Sequence, residues 1–248
     1  MVRLVELVSY ADQLLESAAF QDYCPNGLQV EGRAEVHRLV SGVTASLALL
    51  DAAIAREADA ILVHHGYFWK GESPVISGIK YRRLQRLINA GVSLIAYHLP
   101  LDAHPGLGNN AQLARRLGLT ELSSSGPGLV MQGSLPRPLS IPAFCERLTA
   151  SLARAPLHIP GTSKQIHRIA WCTGAAQDYL EAAAASGVDA YLTGEISERT
   201  VHIARECGIH FYAAGHHATE RYGVQALGEH LAEHFPLHHE FIDIDCPV

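Results

Sequence analysis

Three short stretches of this sequence carry side chains that could hold metal ions and activate water. They are ILVHHGYFW, with His64 and His65; HLPLDAHPG, with His98 and Asp102; and GHHATE, with His216, His217 and Glu220. Imidazole and carboxylate without thiolate suit zinc, iron, manganese or cobalt. Three histidines and two carboxylates (His64, His65, Asp102, one histidine of GHHATE, Glu220) exceed what one open tetrahedral site needs. They suit two ions bridged by a carboxylate and a water. Residues four apart share a helical face, so His216 and Glu220 can point at one centre, and His217 and Glu220, three apart, can do so as well. Spacing leaves that choice open.

Other residues beside these stretches have more than one reading. An adjacent His-His pair points to opposite faces of an ideal strand, so His64 and His65 serve one cluster only if the backbone turns, and Gly66 offers a turn. His98 is placed near the site as a proton carrier, and His104 at its edge. Glu195, in LTGEISE, holds the place in the second half that His65 holds in the first. An ordinary acid at a helix N-terminus is its simpler role, or it supports the metal ligands from behind. Tyr67, Phe68 and Trp69 could bind substrate by stacking on a planar ring, or could pack a subunit contact. The Asn pair in GLGNNAQLA reads as a helix cap and PNGLQVEG as a turn. No nucleophile elbow, Walker sequence or zinc-finger spacing is present.

The elements that must position these residues alternate. RLVSGV (38–43) reads as a strand, 46–57 as a helix, ADAILVHH (58–65) as a strand, 78–90 as a helix, GVSLIAYH (91–98) as a strand and 109–118 as a helix. This alternation predicts an α/β protein with parallel strands joined by right-handed crossovers. Each polar cluster directly follows an apolar strand, and ligands of open parallel sheets bind beyond those strand ends. The theme returns in the second half: residues 168–196 align with 38–66, and 207–215 with 90–98. Two similar α/β lobes follow, 1–125 and 126–248, with terminal segments free to cross over. The boundary lies in the Ser-, Gly- and Pro-rich stretch 123–144, which holds one strand around 128–135.

Bulk properties narrow the classes. The 248 residues are 48% hydrophobic and 18% charged, as in a compact folded protein. A formal net charge of −6, from 19 basic and 25 acidic residues, gives no general pull toward nucleic acid or anionic lipid. The five cysteines lack CxxC spacing and read as reduced thiols of a cytoplasmic protein. The first helix is amphipathic and unlike a signal peptide, and no apolar run reaches the roughly 18–20 residues of a membrane span.

The motifs PNGLQVEG, ILVHHGYFW, AYHLPLDAHPGLGNNAQLA, LTGEISE and AAGHHATERYG occur in order across essentially the whole chain. In them the sequence resembles the NIF-three-like dinuclear-metal proteins, also known as GTP cyclohydrolase I type 2 homologues, in their short bacterial form. The resemblance implies two α/β lobes with largely parallel sheets, a dimetal cleft between them, and a toroidal homohexamer. It implies His64, His65, Asp102, His216 and Glu220 as ligands of two divalent ions (Zn, Fe or Mn), with His217 beside them. It also implies a metal-dependent hydrolase acting on a purine nucleotide such as GTP. A non-enzymatic metal-binding ring, acting as scaffold, metal carrier or nucleic-acid clamp, is the alternative; the net charge does not favour the clamp.

Overall fold

The structure is a computed structural model and describes residues 1–125 and 128–248. Gly126 and Pro127, at the division between lobes drawn from the sequence, lie outside the described residues. In chain order the elements begin with β1 (Val2–Arg3), α1 (Leu4–Leu14), β2 (Gly27–Val30), β3 (Glu35–Val36), β4 (Arg38–Thr44), α2 (Leu47–Ala55), β5 (Ala60–His65), α3 (Gly78–Ala90) and β6 (Ser93–Ala96). Next come α4 (Leu99–Ala103), α5 (Asn109–Leu117), β7 (Thr120–Ser124), β8 (Met131–Ser140), α6 (Ile141–Leu152), β9 (Leu157–Ile159) and β10 (Gln165–Trp171). The chain ends with α7 (Leu180–Ala185), β11 (Ala190–Thr193), α8 (Glu198–Cys207), β12 (His210–Ala213), α9 (His216–His234) and β13 (His238–Phe241).

Contacts divide the chain into two compact units, Met1–Gly108 with Gly223–Asp245, and Asn109–Tyr222 with Cys246–Val248. The sequence division stood at 125–126. Helix α5 falls in the second unit because Leu113, Ala114 and Leu117 bury against Leu135, Phe144 and Leu148. The first unit regains the end of the chain: Val224, Leu227 and Leu231 of α9 pack with Leu4, Leu7 and Leu39, and β13 pairs with β4.

The sheet of the first unit has the order β13-β4-β5-β6-β2, parallel except for β2. That of the second unit runs β7-β8-β10-β11-β12-β9, with β10, β11 and β12 parallel and the others antiparallel. Both are α/β sheets built round a parallel trio. Ala60–Val63 of β5 and all of β11 and β12 are buried, as continuous apolar runs between helical layers must be.

The two trios share one register, so the internal repeat in the sequence is a repeat in structure. The Asp59 carboxylate accepts the His37 and Arg38 amides (2.8 and 3.0 Å), and the Asp189 carboxylate accepts those of His167 and Arg168 (2.9 Å each). The Asp59 and Asp189 amides in turn donate to the Arg38 and Arg168 carbonyls. Each aspartate ties the start of one strand to the start of its neighbour, which fixes where the opposite strand ends fall. Among the described residues no helix is long and apolar enough to cross a membrane.

Candidate functional site

In the first unit His64 ends the buried part of β5 and is itself fully buried. Its Nδ1 lies 2.9 Å from the Tyr97 carbonyl, which can only accept, so Nδ1 carries the hydrogen and the lone pair of a neutral ring is on Nε2. That Nε2 stands 3.6 Å from Oδ1 of Asp102, which is 7% exposed. His65 has its Nδ1 3.1 Å from the Thr44 hydroxyl, across the β4–β5 ladder. The His64 and His65 rings are 4.5 Å apart between centroids, so the strand end does bring the adjacent pair together. Gly66 has a role different from the expected turn. A Cβ there would stand 2.2 Å from Gln29 Oε1, and glycine lets that carboxamide reach in to accept the Tyr67 amide at 2.7 Å.

His98 completes a set of three imidazoles: one ring nitrogen each from His64, His65 and His98 lie within 4.8 Å of one another, and such a set could hold a metal ion. Asp22 lies 2.7 Å from His98 Nδ1 through Oδ1 and accepts the Leu99 amide at 2.9 Å through Oδ2. Burial raises the Asp22 carboxyl, but His98 and Asn26 outweigh it and hold its pKa down to about 2. Helix α4 then presents Asp102 one turn after His98, its amide on the His98 carbonyl at 3.1 Å. His104 turns away from the set, its Nδ1 accepting the Gly106 and Leu107 amides.

The aromatic trio divides. Tyr67 is 5% exposed, packs in the core and donates its hydroxyl to the Ala45 carbonyl at 2.8 Å. Phe68 is exposed, with Lys80 Nζ 5.5 Å from its ring. Trp69 reaches the histidines, meeting the His98 ring edge-on at 5.0 Å with its indole nitrogen on the Gly66 carbonyl.

In the second unit His216 opens α9 and is held from both sides. Its Nδ1 lies 2.7 Å from Glu195 Oε1, and its Nε2 3.0 Å from Oε2 of Glu220 four residues on. Glu195 therefore orients an imidazole, beyond the simple helix-terminal role, and carboxylates in that relation fix tautomer and ring direction in metal sites. His217 is half-buried, and its amide donates to the Val248 carbonyl at 3.1 Å. Gly174 lies against the pair with φ +70°; a Cβ on it would stand 2.1 Å from Glu220 Oε1. The Thr219 hydroxyl accepts the Gly174 amide and donates to the His216 carbonyl, tying this loop to the first turn of α9. Asn110 has a further role beside the helix start. It is buried in the first turn, where its Oδ1 accepts the Thr173 amide (3.1 Å) and its backbone carbonyl accepts the Trp171 indole.

Burial opposes charge on His216, yet the hydrogen bonds and charges of Glu220 and Glu195 prevail and raise its pKa to about 9. A folded pKa above the ordinary value of about 6.5 adds stability that is complete below that pH and is lost as pH rises through about 9. Chelator-treated protein is therefore expected to lose Tm across this window. In His216→Ala that component of the loss disappears, as thermal unfolding at stepped pH will show.

The donor sets fit divalent metals. Each holds an imidazole oriented through Nδ1 with Nε2 toward a buried carboxylate, and a metal bound there would displace the Nε2 proton that Glu220 favours on His216; neither His–carboxylate pair includes a thiolate. Two α/β units that each carry such a set at the ends of parallel strands define a class of candidate metal-binding proteins. The chain belongs to the Duf34/NIF3 (NGG1p interacting factor 3) family, whose model matches residues 2–247. It is similar to the GTP cyclohydrolase 1 type 2 homolog of Pseudomonas aeruginosa, with 58% identity over 99% of this chain and 98% of that one. The Escherichia coli protein of the same name is 54% identical, over 98% of each chain. Among solved structures it resembles protein ybgI, described as of unknown function, with TM-score 0.97, 52% identity and full coverage of both chains. The Thermus thermophilus protein TTHA1606 gives TM-score 0.92 at 35% identity, also over the whole of both.

Proposed function

We propose that the protein is a metal-dependent hydrolase in which His64, His65 and Asp102 of the first unit and His216 and Glu220 of the second together hold two divalent ions. The observation that carries this reading is the pair of oriented imidazoles: His64 fixed through Nδ1 by the Tyr97 carbonyl, and His216 by Glu195. Surface histidines are rarely held in one tautomer beside a buried carboxylate; metal ligands almost always are.

Bound there, divalent ions supply Lewis acidity and lower the pKa of water from 15.7 toward about 7, so that hydroxide is available at neutral pH. The chain's own groups do the rest. Asp102 and Glu220 would bring negative charge to the ions in a buried setting. His98, steadied by Asp22, would accept the proton of a water activated there. Trp69 covers the face of the set beside His98 and His65. The names of the relatives support a purine nucleotide such as GTP as substrate. Its hydrolysis would consume two waters: one adds at C8 and breaks the C8–N9 bond to leave a formamide on N7, and a second breaks the C8–N7 bond, releasing C8 as formate and leaving the ring-opened diamine. Self-association into a homohexamer goes with this reading.

Protein loaded with Zn, Fe or Mn is expected to release formate from GTP. Protein that holds its ions but leaves GTP and other nucleotides intact would remove the substrate assignment and leave a metal-binding protein without catalysis.

A further inference from the structure

Asp22 is absent from every motif that marks the candidate ligands, yet it is a buried and heavily engaged carboxylate beside them. Its side chain is 2% exposed. Oδ1 lies 2.7 Å from His98 Nδ1 and accepts the Tyr23 amide at 2.6 Å; Oδ2 accepts the Asn26 carboxamide and the Leu99 amide, each at 2.9 Å. Asn26 in turn accepts the His98 amide at 2.8 Å. The two oxygens thus serve two different tasks. One fixes the ring of His98, and the other caps the first turn of α4, the helix that carries Asp102.

We infer that Asp22 is a positioning residue for the metal-binding set of the first unit, one that couples the orientation of His98 to the placement of Asp102. Both oxygens of Asp22 already accept two contacts each, so Asp22 acts through His98 and α4. Its contact with His98 matches that of Glu195 with His216, 2.7 Å in each case, so both units orient one imidazole by the same device. Helix α4 is only five residues long, too short to be stable without partners outside it. The cap comes from a residue 77 positions away.

The inference rests on the metal-binding reading above, and the test separates the two. Asp22→Asn keeps the size of the side chain but offers one acceptor oxygen where two are used, so it can serve His98 or α4 but not both. Asp59→Asn is the matched control. Asp59 also accepts two backbone amides and an arginine, and it lies at the start of β5, at the other end from His64 and His65. Zinc affinity is measured by chelator competition on the full-length protein, alongside the Tm of the chelated protein and the ¹⁵N chemical shifts of the His98 ring. Asp22→Asn is expected to weaken zinc binding by roughly 10–100-fold through the loosened start of α4 and the displaced Asp102, as loss of a group behind a metal ligand does. It is also expected to lose the single Nδ1–H tautomer of His98. Asp59→Asn should lower Tm while leaving both readouts unchanged.

Wild-type protein that binds no zinc would end the metal-binding reading itself. Wild-type binding with equal losses in the two variants, or with none in Asp22→Asn, would overturn the positioning role. Asp22→Ala, which removes both contacts at once, gives the same comparison should the asparagine variant adjust.

Discussion

Replacing Glu220 with alanine is expected to abolish metal-dependent turnover and to weaken metal binding by more than about 100-fold, beyond the 10–100-fold effect of groups that only support ligands. The side chain is 3% exposed and sits 3.0 Å from His216 Nε2, so the substitution removes the buried negative charge that a cation beside His216 requires. Glu220→Gln separates charge from packing: it keeps the volume and one acceptor oxygen, and it should lose metal to a similar degree. Chelator competition and formate release measure the two effects, with the Tm of chelated protein as the check on folding. Near-normal affinity in both variants would show that Glu220 has no part in binding.

Gly174→Ala should produce a similar loss without touching a ligand. The new methyl group would fall 2.1 Å from Glu220 Oε1, so the carboxylate must move or the loop from Thr173 must shift. The left-handed φ of +70° adds a strain of about 1–2 kcal/mol for a residue with a Cβ. Gly71→Ala isolates that second effect, since Gly71 also has a left-handed φ, +90°, and nothing lies within 4 Å of its added Cβ. Both variants should unfold at lower temperature than wild type. Gly174→Ala alone should bind metal poorly; equal affinity in the two would show that the approach to Glu220 has no functional consequence.

The parts of the site that were legible in the sequence share a local signature. His64 and His65 follow AILV, His216 follows FYAAG, and an apolar strand ending in a polar cluster marks the carboxyl edge of a parallel sheet. The repeat of Asp59-Ala60 as Asp189-Ala190 was legible for a related reason, because both aspartates close the same amide pair in each unit. The residues that hold the ligands in place left no such mark. Asn26 and Gln29 read as parts of a turn and Asp22 lies outside every motif, because their partners lie 72, 38 and 76 positions away. Gly174 carries no mark of its place either, because nothing local shows that a carboxylate 46 positions later will rest against it. The Asn pair read as a helix cap because asparagine at a helix start commonly is one; nothing local shows that the Asn110 carboxamide also holds the Thr173 amide, 63 positions on. The three aromatics formed one block in the sequence, but they lie beyond the end of β5 and Phe68 takes a left-handed φ of +64°, so Tyr67 enters the core while Trp69 meets the histidines.

The division between the units was the least legible feature. Helix α5 carries the right apolar spacing to pack on either side of a boundary, and only the partners of Leu113 and Leu117 decide. The return of the chain end depends likewise on β13, whose parallel pairing with β4 joins residues some 200 positions apart.

Elemental analysis of the natively purified, dialysed protein tests the central claim most directly. About two divalent ions per chain are expected for wild type, as a paired-metal centre requires, with marked loss in His64→Ala and in Glu220→Ala. Wild-type protein that retains no divalent metal, and takes up none when zinc, iron or manganese is supplied, would contradict the account.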